Sequence, residues 1–421
     1  MYFIAVLIST GKLTKKINGN YKDVIFDRSG DYFIAKEGEL YDPKVTLRRL
    51  ENGKMIRTFT NQLPEVNSIA FSKDDNFLYA TYIDGTINQW DIKRGEMITK
   101  IGGGKSYNPK AVLSHYGNNL ICANLDNSFR VIDTNTGREI KSLSPIPNIS
   151  LILIEALCLS QDGNLLVIKN SNKQLAVVDV RNSYVSKLFT HEDQISAISI
   201  SPDNKYLFVG CSNDVLNIYN LETGVLEKSF GGGNNLAYYY LGYVNSITSI
   251  AISSDSNYAA IANNDSIKLY NVRTGKIQEQ YTVSEFIKSM VFINENCLLV
   301  GNTDGVLKII NLFTGEVMMA LKAHDSEIKQ IAISHDGLKA VSLSSDGLSC
   351  LLDIKKGQLL SKFAFYNNKE WIFITPEGYF NTSSKGLNFL NIRVSPTEVT
   401  GINETQIKHY FKPDTVVQKL N

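Results

Sequence analysis

The sequence predicts an all-β chain assembled from repeated four-stranded units. Three observations carry this reading. Short runs alternate small and apolar residues with a period of two, as in Ser68-Ile69-Ala70-Phe71-Ser72, Ala197-Ile198-Ser199-Ile200-Ser201, Ser249-Ile250-Ala251-Ile252-Ser253 and Gln330-Ile331-Ala332-Ile333-Ser334. That period belongs to strands and not to helices. An Asp or Asn, a strand end six residues later and a turn residue five further on recur in one register along the chain. Finally, Asp84-Gly85, Asp304-Gly305 and Asp346-Gly347 supply the positive-φ chemistry of tight hairpins.

Taken in order, residues 1–18 read as the second half of a unit. Phe3 to Ile8 would be a third strand, Thr10-Gly11-Lys12 the turn and Leu13 to Ile17 the fourth. Residues 19–365 then hold eight complete repeats. Their Asx residues are Asp42, Asp84, Asp126, Asn172, Asn213, Asn264, Asp304 and Asp346, read as structural turn residues and not as catalytic acids. The strand ends are Arg48, Trp90, Ile132, Val178, Tyr219, Tyr270, Ile310 and Leu352. The turn glycines are Gly53, Gly95, Gly137, Gly224, Gly275, Gly315 and Gly357, with Ser183 as the one substitute. Within a repeat, strand a is the small-and-apolar run and strand b, such as Tyr206 to Gly210, is nearly all apolar because neighbouring units cover both faces. Strands c and d follow.

Residues 366–421 read as a closing hairpin and cap. Phe373-Ile374-Thr375-Pro376-Glu377-Gly378-Tyr379-Phe380 imitates the a-turn-b run Ile200 to Leu207, so the half-unit at residues 1–18 has its complement at the other terminus. Glu404 to Phe411 is expected to form a short helix stopped by Pro413.

Asp84-Gly85-Thr86-Ile87-Asn88-Gln89-Trp90-Asp91 resembles the signature of the WD40 family, and the eight copies lie about 40 to 50 residues apart, near that family's period. The resemblance implies a single β-propeller of four-stranded blades. With eight repeats and a half-unit at each end, the expected ring has a ninth blade split between the termini, which would remove two open sheet edges. Eight blades with extra terminal strands is the alternative, and seven is not expected. Only one repeat keeps Trp, and the family's His before strand a survives as His191 and His324, so its buried His, Asp, Ser and Trp chain is complete in no unit. The tail, through Trp371, Thr375 to Tyr379, Asn391 to Val394 and Tyr410 to Asp414, resembles a segment that follows WD40 repeats in some bacterial proteins, several of which carry a caspase-like peptidase. No part of this chain resembles that peptidase, so its Cys and His pair is carried over to no position.

Composition narrows the function. Lys and Arg number 43 against 42 Asp and Glu, without long runs of one sign, so neither nucleic acid nor an anionic membrane is expected as a partner. The first apolar run, Tyr2 to Ile8, is too short to span a bilayer and has no basic residue before it. A cytoplasmic location is expected, and the rich use of Asn, Lys and Ile points to a bacterial source. Cys122, Cys158, Cys211, Cys297 and Cys350 form no CxxC pair and fall in or beside apolar strands, which makes them reduced packing residues. Gly102-Gly103-Gly104-Lys105-Ser106 lacks the earlier glycine of a phosphate loop, because Thr99 stands there. The histidines, His115, His191, His324, His335 and His409, have no metal-site spacing. No catalytic, cofactor-binding or metal-ligating residue is therefore assigned.

One irregularity remains, Gly231-Gly232-Gly233-Asn234-Asn235-Leu236-Ala237-Tyr238-Tyr239-Tyr240-Leu241-Gly242-Tyr243, inserted where one repeat passes to the next. Tyrosine joins a large apolar ring to a hydrogen-bonding tip, which suits interfaces, although the same rings could plug a gap on the protein's own surface. Tyr238, Tyr239, Tyr240 and Tyr243 are the candidate partner-binding residues. The expected function is a non-catalytic scaffold for protein partners, with a sensory or regulatory module of a caspase-like peptidase system as the alternative.

Overall fold

The computed structural model describes residues 2–7, 13–19, 21–26, 32–39, 42–49 and 54–59, and from residue 66 all but 83–85, 102–109, 114–118, 124–127, 134–135, 137, 144–153, 171–172, 232–245, 264–265, 284, 366–369, 385, 390, 396–397, 402–406, 408 and 421. The chain forms two compact units, residues 1–63 and 64–421. The first contains the hairpin Tyr2–Leu7 with Leu13–Gly19 and a four-stranded antiparallel sheet of Tyr21–Phe26, Tyr32–Glu39, Asp42–Arg49 and Met55–Phe59.

The second unit is a seven-bladed propeller. Its blades 1 to 7 occupy residues 66–101, 110–143, 154–190, 195–230, 247–282, 287–322 and 328–365, each an antiparallel sheet with strands a to d in sequence order. Strand a of each blade adjoins strand a of the next, and Ile328–Ile333 of blade 7 adjoins Val66–Phe71 of blade 1. In six of the seven strands a the register slips at the second residue, between Val66 and Ser68, Ile154 and Ala156, Ile195 and Ala197, Ile247 and Ser249, Ile287 and Ser289, and Ile328 and Gln330. Such bulges sharpen the local twist, which lets a strand line a narrow ring.

Two sets of side-chain bonds pass from blade to blade around this ring. On strand a, Ser249 Oγ accepts the Met290 amide at 3.1 Å and Ser289 Oγ accepts the Ile331 amide at 3.0 Å. Gln330 takes the same position in blade 7 and bonds to Ile69 of blade 1. At the a-to-b turns, Asn204 accepts the Gln161 amide at 3.1 Å and Ser256 Oγ accepts the Asp203 amide at 3.2 Å. The Asp75 carboxylate of blade 1 does the same for His335 and Asp336 of blade 7, at 2.7 and 3.0 Å. Apolar packing follows the same circuit. Among the described residues each of the seven blade-to-blade interfaces has its own buried cluster, and Leu78, Trp90, Leu343, Leu351, Phe363 and Val341 share the one between blades 7 and 1. Strand b packs on both faces, and Cys297–Asn302 is buried along its whole length.

These contacts correct the expected blade number. All eight repeats are four-stranded sheets, but the repeat of Asp42, Arg48 and Gly53 belongs to the first compact unit, and the other seven close on themselves. Among the described residues seven blades close the ring, and neither a split ninth blade nor an eight-bladed ring is found. Tyr2–Leu7 pairs with Leu13–Gly19 in a separate two-stranded sheet. Its supposed complement, Trp371–Ile374, pairs with the end of Gln358–Phe365 and with Phe380–Thr382, so blade 7 becomes a six-stranded sheet. The physical reason is apolar. In that place Trp371 and Phe373 join Phe363 and Phe365 around Trp90 in a buried cluster, which takes their apolar area out of water.

Local turn chemistry follows the sequence more closely. The c-to-d turns hold Gly95, Gly224, Gly275, Gly315 and Gly357 in the left-handed region, and Ser183 adopts the same conformation at φ 61°. At the C-terminus, Pro413 does not act only as a stop. Residues 407, 409 and 410 are helical, and a helix Pro413–Leu420 follows. Proline fits the first turn of a helix because its missing N–H would have no partner there.

Candidate partner-binding face

Antiparallel order puts the b-to-c turns and the d-to-a loops at one end of the ring. In blades 4, 6 and 7 these segments are tied together by backbone bonds. The amides of Ser212, Thr303 and Ser345, at the start of the b-to-c turns, donate to the carbonyls of Gln194, Phe286 and Glu327 just before strand a. From the neighbouring blade, the amides of His191 and His324 donate to the carbonyls of Lys173 and Gly305 at 3.0 Å each. A loop held on both sides in this way has little freedom to lose when something binds to it.

The eight Asx positions do not behave as one set. Asn213 accepts the Val215 amide at 3.1 Å and donates through Nδ2 to Asp193 at 2.6 Å. Asp346 accepts the Leu348 amide at 2.8 Å through one oxygen, while the other accepts the Asp325 amide at 3.1 Å and meets His324 Nδ1 at 3.2 Å. At Asp304 the side chain is exposed, and Asn302 instead accepts the amides of Asp304 and Val306 at 3.1 and 2.8 Å. Asp42 lies in the strand Asp42–Arg49, and Asp84, Asp126, Asn172 and Asn264 lie outside the described residues.

Sequence reasoning passed over the residue that ends strand b. Asn170 accepts the Gln174 amide at 3.2 Å, Asn263 accepts from Ser266 Oγ, Asn302 caps its own turn, and Ser344 Oγ accepts the Asp346 amide at 3.2 Å. The available signal was an Asn or Ser two residues before the Asx in Asn170-Ser171-Asn172, Asn302-Thr303-Asp304 and Ser344-Ser345-Asp346.

Blade 7 contains three members of the buried polar chain. His324 Nε2 lies 2.8 Å from Ser342 Oγ and its Nδ1 faces Asp346, while Leu352 stands where a Trp would complete the set. Burial alone would raise the Asp346 carboxyl, but the His324 ring and the Leu348 and Asp325 amides outweigh it and hold it below the usual carboxylate range. Cys350 Sγ is 3.9 Å from His324 Nδ1. In this grouping of Cys, His, Asp and Ser the Cys350 thiol is fully buried, and burial pushes it up to about 12. In blade 4, His191 packs edge-on against Tyr219 with ring centroids 5.6 Å apart, and desolvation lowers its pKa. The five cysteines are all free thiols, and burial raises Cys122 to about 12 and Cys158 and Cys211 to about 11.

Charged pairs stitch the same face across blades. Asp214, in the blade 4 turn, bonds Lys268 at 2.9 Å and Asn263 at 2.8 Å, both in blade 5. Within blade 6, Lys308 meets Glu285 at 2.6 Å beside Phe286, whose ring is exposed. Tyr238, Tyr239, Tyr240 and Tyr243 lie outside the described residues. The two ends of that segment are on this face. Gly231 has φ 90°, and a Cβ there would stand 1.9 Å from the Asp214 carbonyl oxygen, so only glycine lets the chain leave blade 4 so close to the turn. Ser246 precedes strand a of blade 5. Among the described residues no group of His, Cys, Asp and Glu is placed to hold a metal ion, and no helix is long and apolar enough to cross a membrane.

Comparison with known proteins agrees with this geometry. The family model described as "WD domain, G-beta repeat" matches residues 53–91 and 182–220. The second match begins at the c-to-d turn of blade 3 and runs through its strand d and then strands a, b and c of blade 4, so one sequence repeat is offset from one blade. The chain is similar to WD repeat-containing protein 55 of Rattus norvegicus, 24% identical over 64% of this chain and 69% of the relative. It is similar to autophagy-related protein 16 of Arabidopsis thaliana, 20% identical over 67% of this chain and 54% of the relative. It is also similar to apoptotic protease-activating factor 1 of Mus musculus, 21% identical over 70% of this chain and 22% of the relative. These relatives are eukaryotic and lend no support to the bacterial source expected from composition.

Proposed function

Because the chain belongs to the WD40-repeat β-propeller family, we propose that it works as a non-catalytic scaffold that binds protein partners on the face built from the b-to-c turns and d-to-a loops. The observation that carries this reading is the fastening of that face. Gln194, Phe286 and Glu327 are each bonded to the neighbouring turn, and Asp214 reaches from blade 4 to Lys268 and Asn263 in blade 5. The tyrosine-rich segment 232–245 leaves this rim beside Asp214 and returns at Ser246, which makes Tyr238, Tyr239, Tyr240 and Tyr243 the anchor residues in this reading. A stiff rim limits the entropy lost on association, and tyrosine rings offer contact area with few rotatable bonds. The Asx residues serve the turns and not chemistry.

The test replaces Tyr238, Tyr239 and Tyr240 together with Ser. Far-ultraviolet circular dichroism and melting temperature stay as in the parent, while recovery of native partners by affinity purification from the source organism falls. A large drop in melting temperature would show that the rings pack inside the protein, and unchanged recovery would remove them from the interface.

A second reading has one observation in its favour, the similarity to a protein named for activating an apoptotic protease. In it the propeller is the sensory or regulatory part of a caspase-like peptidase system, with the peptidase on a longer chain or on a separate partner. A peptidase gene adjoining this one, and peptidase activity that co-purifies with the chain, would favour it over a general scaffold.

A further inference from the structure

We propose that the hairpin Trp371–Thr382 and the C-terminal helix Pro413–Leu420 act as a detachable clasp that governs opening of the ring between blade 7 and blade 1. Every blade is built from consecutive strands, and among the described residues Ile328–Ile333 of blade 7 and Val66–Phe71 of blade 1 adjoin while belonging to separate sheets. The seam therefore lacks a backbone ladder and depends on side-chain bonds and apolar packing. What distinguishes it from the other six interfaces is the C-terminal segment, which touches both sides.

On the blade 7 side the attachment is a β-ladder, Ala364 opposite Ile372 and Phe365 opposite Trp371. On the blade 1 side it is made of side chains. Trp371 meets Trp90 edge-on with centroids 5.8 Å apart, beside the direct stack of Trp90 on Phe365 of blade 7. Asn381 Nδ2 donates to the Gly95 carbonyl at 3.3 Å. Leu420, at the end of the helix Pro413–Leu420, is fully buried in the seam cluster together with Val416. Its Cδ1 lies 3.2 Å from where a Cβ on Gly95 would stand, so the glycine of that c-to-d turn is also the floor on which the helix rests.

Three described contacts join the helix and the residues just before it to the rest of the clasp. The Lys412 amide donates to the Phe380 carbonyl at 3.1 Å, Phe411 and Phe380 are 5.6 Å apart, and Lys419 pairs with Glu377 at 2.6 Å in water. An isolated helix of eight residues is not stable in water. Undocking and unfolding of this helix are therefore one event, an order-to-disorder switch whose docked state covers the seam.

The test is hydrogen exchange on the full chain. The amides of Ile69, His335 and Asp336 report the seam, and those of Met290 and Gln161 report equivalent bonds elsewhere in the ring. In Leu420→Asp the seam amides are expected to exchange about tenfold faster while the reporters elsewhere keep their rates. Leu420→Ala, which buries no charge, is expected to show the same selectivity to a smaller degree and keeps the test open if the first variant fails to fold. Equal acceleration at all five amides, or none at the seam in Leu420→Ala, would overturn the clasp.

Discussion

The side chain of Gln330 in blade 7 grips the backbone of Ile69 in blade 1 from both sides, with Oε1 accepting the Ile69 amide at 3.0 Å and Nε2 donating to its carbonyl at 3.2 Å. The two residues are 261 positions apart. In blades 5 and 6 the same position is Ser249 or Ser289, whose hydroxyl makes one bond to the next blade. The longer amide at the seam makes two.

Gln330→Ala leaves both backbone groups of Ile69 unpaired at a half-buried position, and the expected destabilisation is about 1–3 kcal/mol. Gln330→Ser, which restores the residue used elsewhere, should recover only part of it. Urea midpoints of the two variants measure the difference. Equal midpoints for parent and Gln330→Ala would show that packing alone holds the seam.

Asp346 predicts a pH dependence. Its carboxyl is held below the ordinary value of 3.8, so its contribution is present above that value and is lost as pH falls through the lower, folded-state value. Asp346→Asn should flatten this acid limb of the stability curve, and His324→Ala should flatten it too, since the ring supplies the largest favourable part of the shift. Thermal melts across the acid range would show it. The same limb in parent and Asp346→Asn would contradict the assignment.

His191 acts at a higher pH. Burial lowers its pKa from 6.5, so below that value the unfolded chain takes up a proton that the folded chain resists, and stability falls. His191→Gln has no such proton to gain. Its stability should change less than the parent's as pH drops below 6.5, measured by urea unfolding in a buffer series.

Gly231→Ala places a Cβ 1.9 Å from the Asp214 carbonyl oxygen in a backbone conformation that L residues avoid. The strain is expected to cost about 1–3 kcal/mol or to push the chain off the blade 4 turn. Exchange of the Cys211 amide, which donates to the Val215 carbonyl across that turn, should then quicken. A variant with parent-like melting temperature and parent-like exchange would show that the turn yields without cost.

The thiols give a chemical check on the packing. Cys122 and Cys350 are raised to about 12 by burial, so a native sample should resist alkylation at both until it is unfolded. Rapid labelling of either in the folded protein would mean that its strand opens locally.

The sequence by itself determined the strands and most turns of this protein, because both are set over a few residues. Period-two alternation marks Ala197 to Ser201 as a strand whatever lies opposite, and the glycine series together with Ser183 marks the positions where the chain must turn through positive φ. Eight runs of four consecutive antiparallel strands were legible on those grounds. Which sheets share a ring was not, because that depends on contacts between residues hundreds of positions apart, Gln330 with Ile69 and Asp75 with His335. A repeat pattern reads the same whether or not its first copy is a blade of the ring. The hairpin at 371–382 was readable as a strand pair, yet its place on blade 7 was decided by the aromatic surface around Trp90, which exists only after blades 1 and 7 have come together. Likewise an Asx residue announces a turn, but whether Asp304 or Asn302 accepts its amides is settled by which side chain the folded turn points inward.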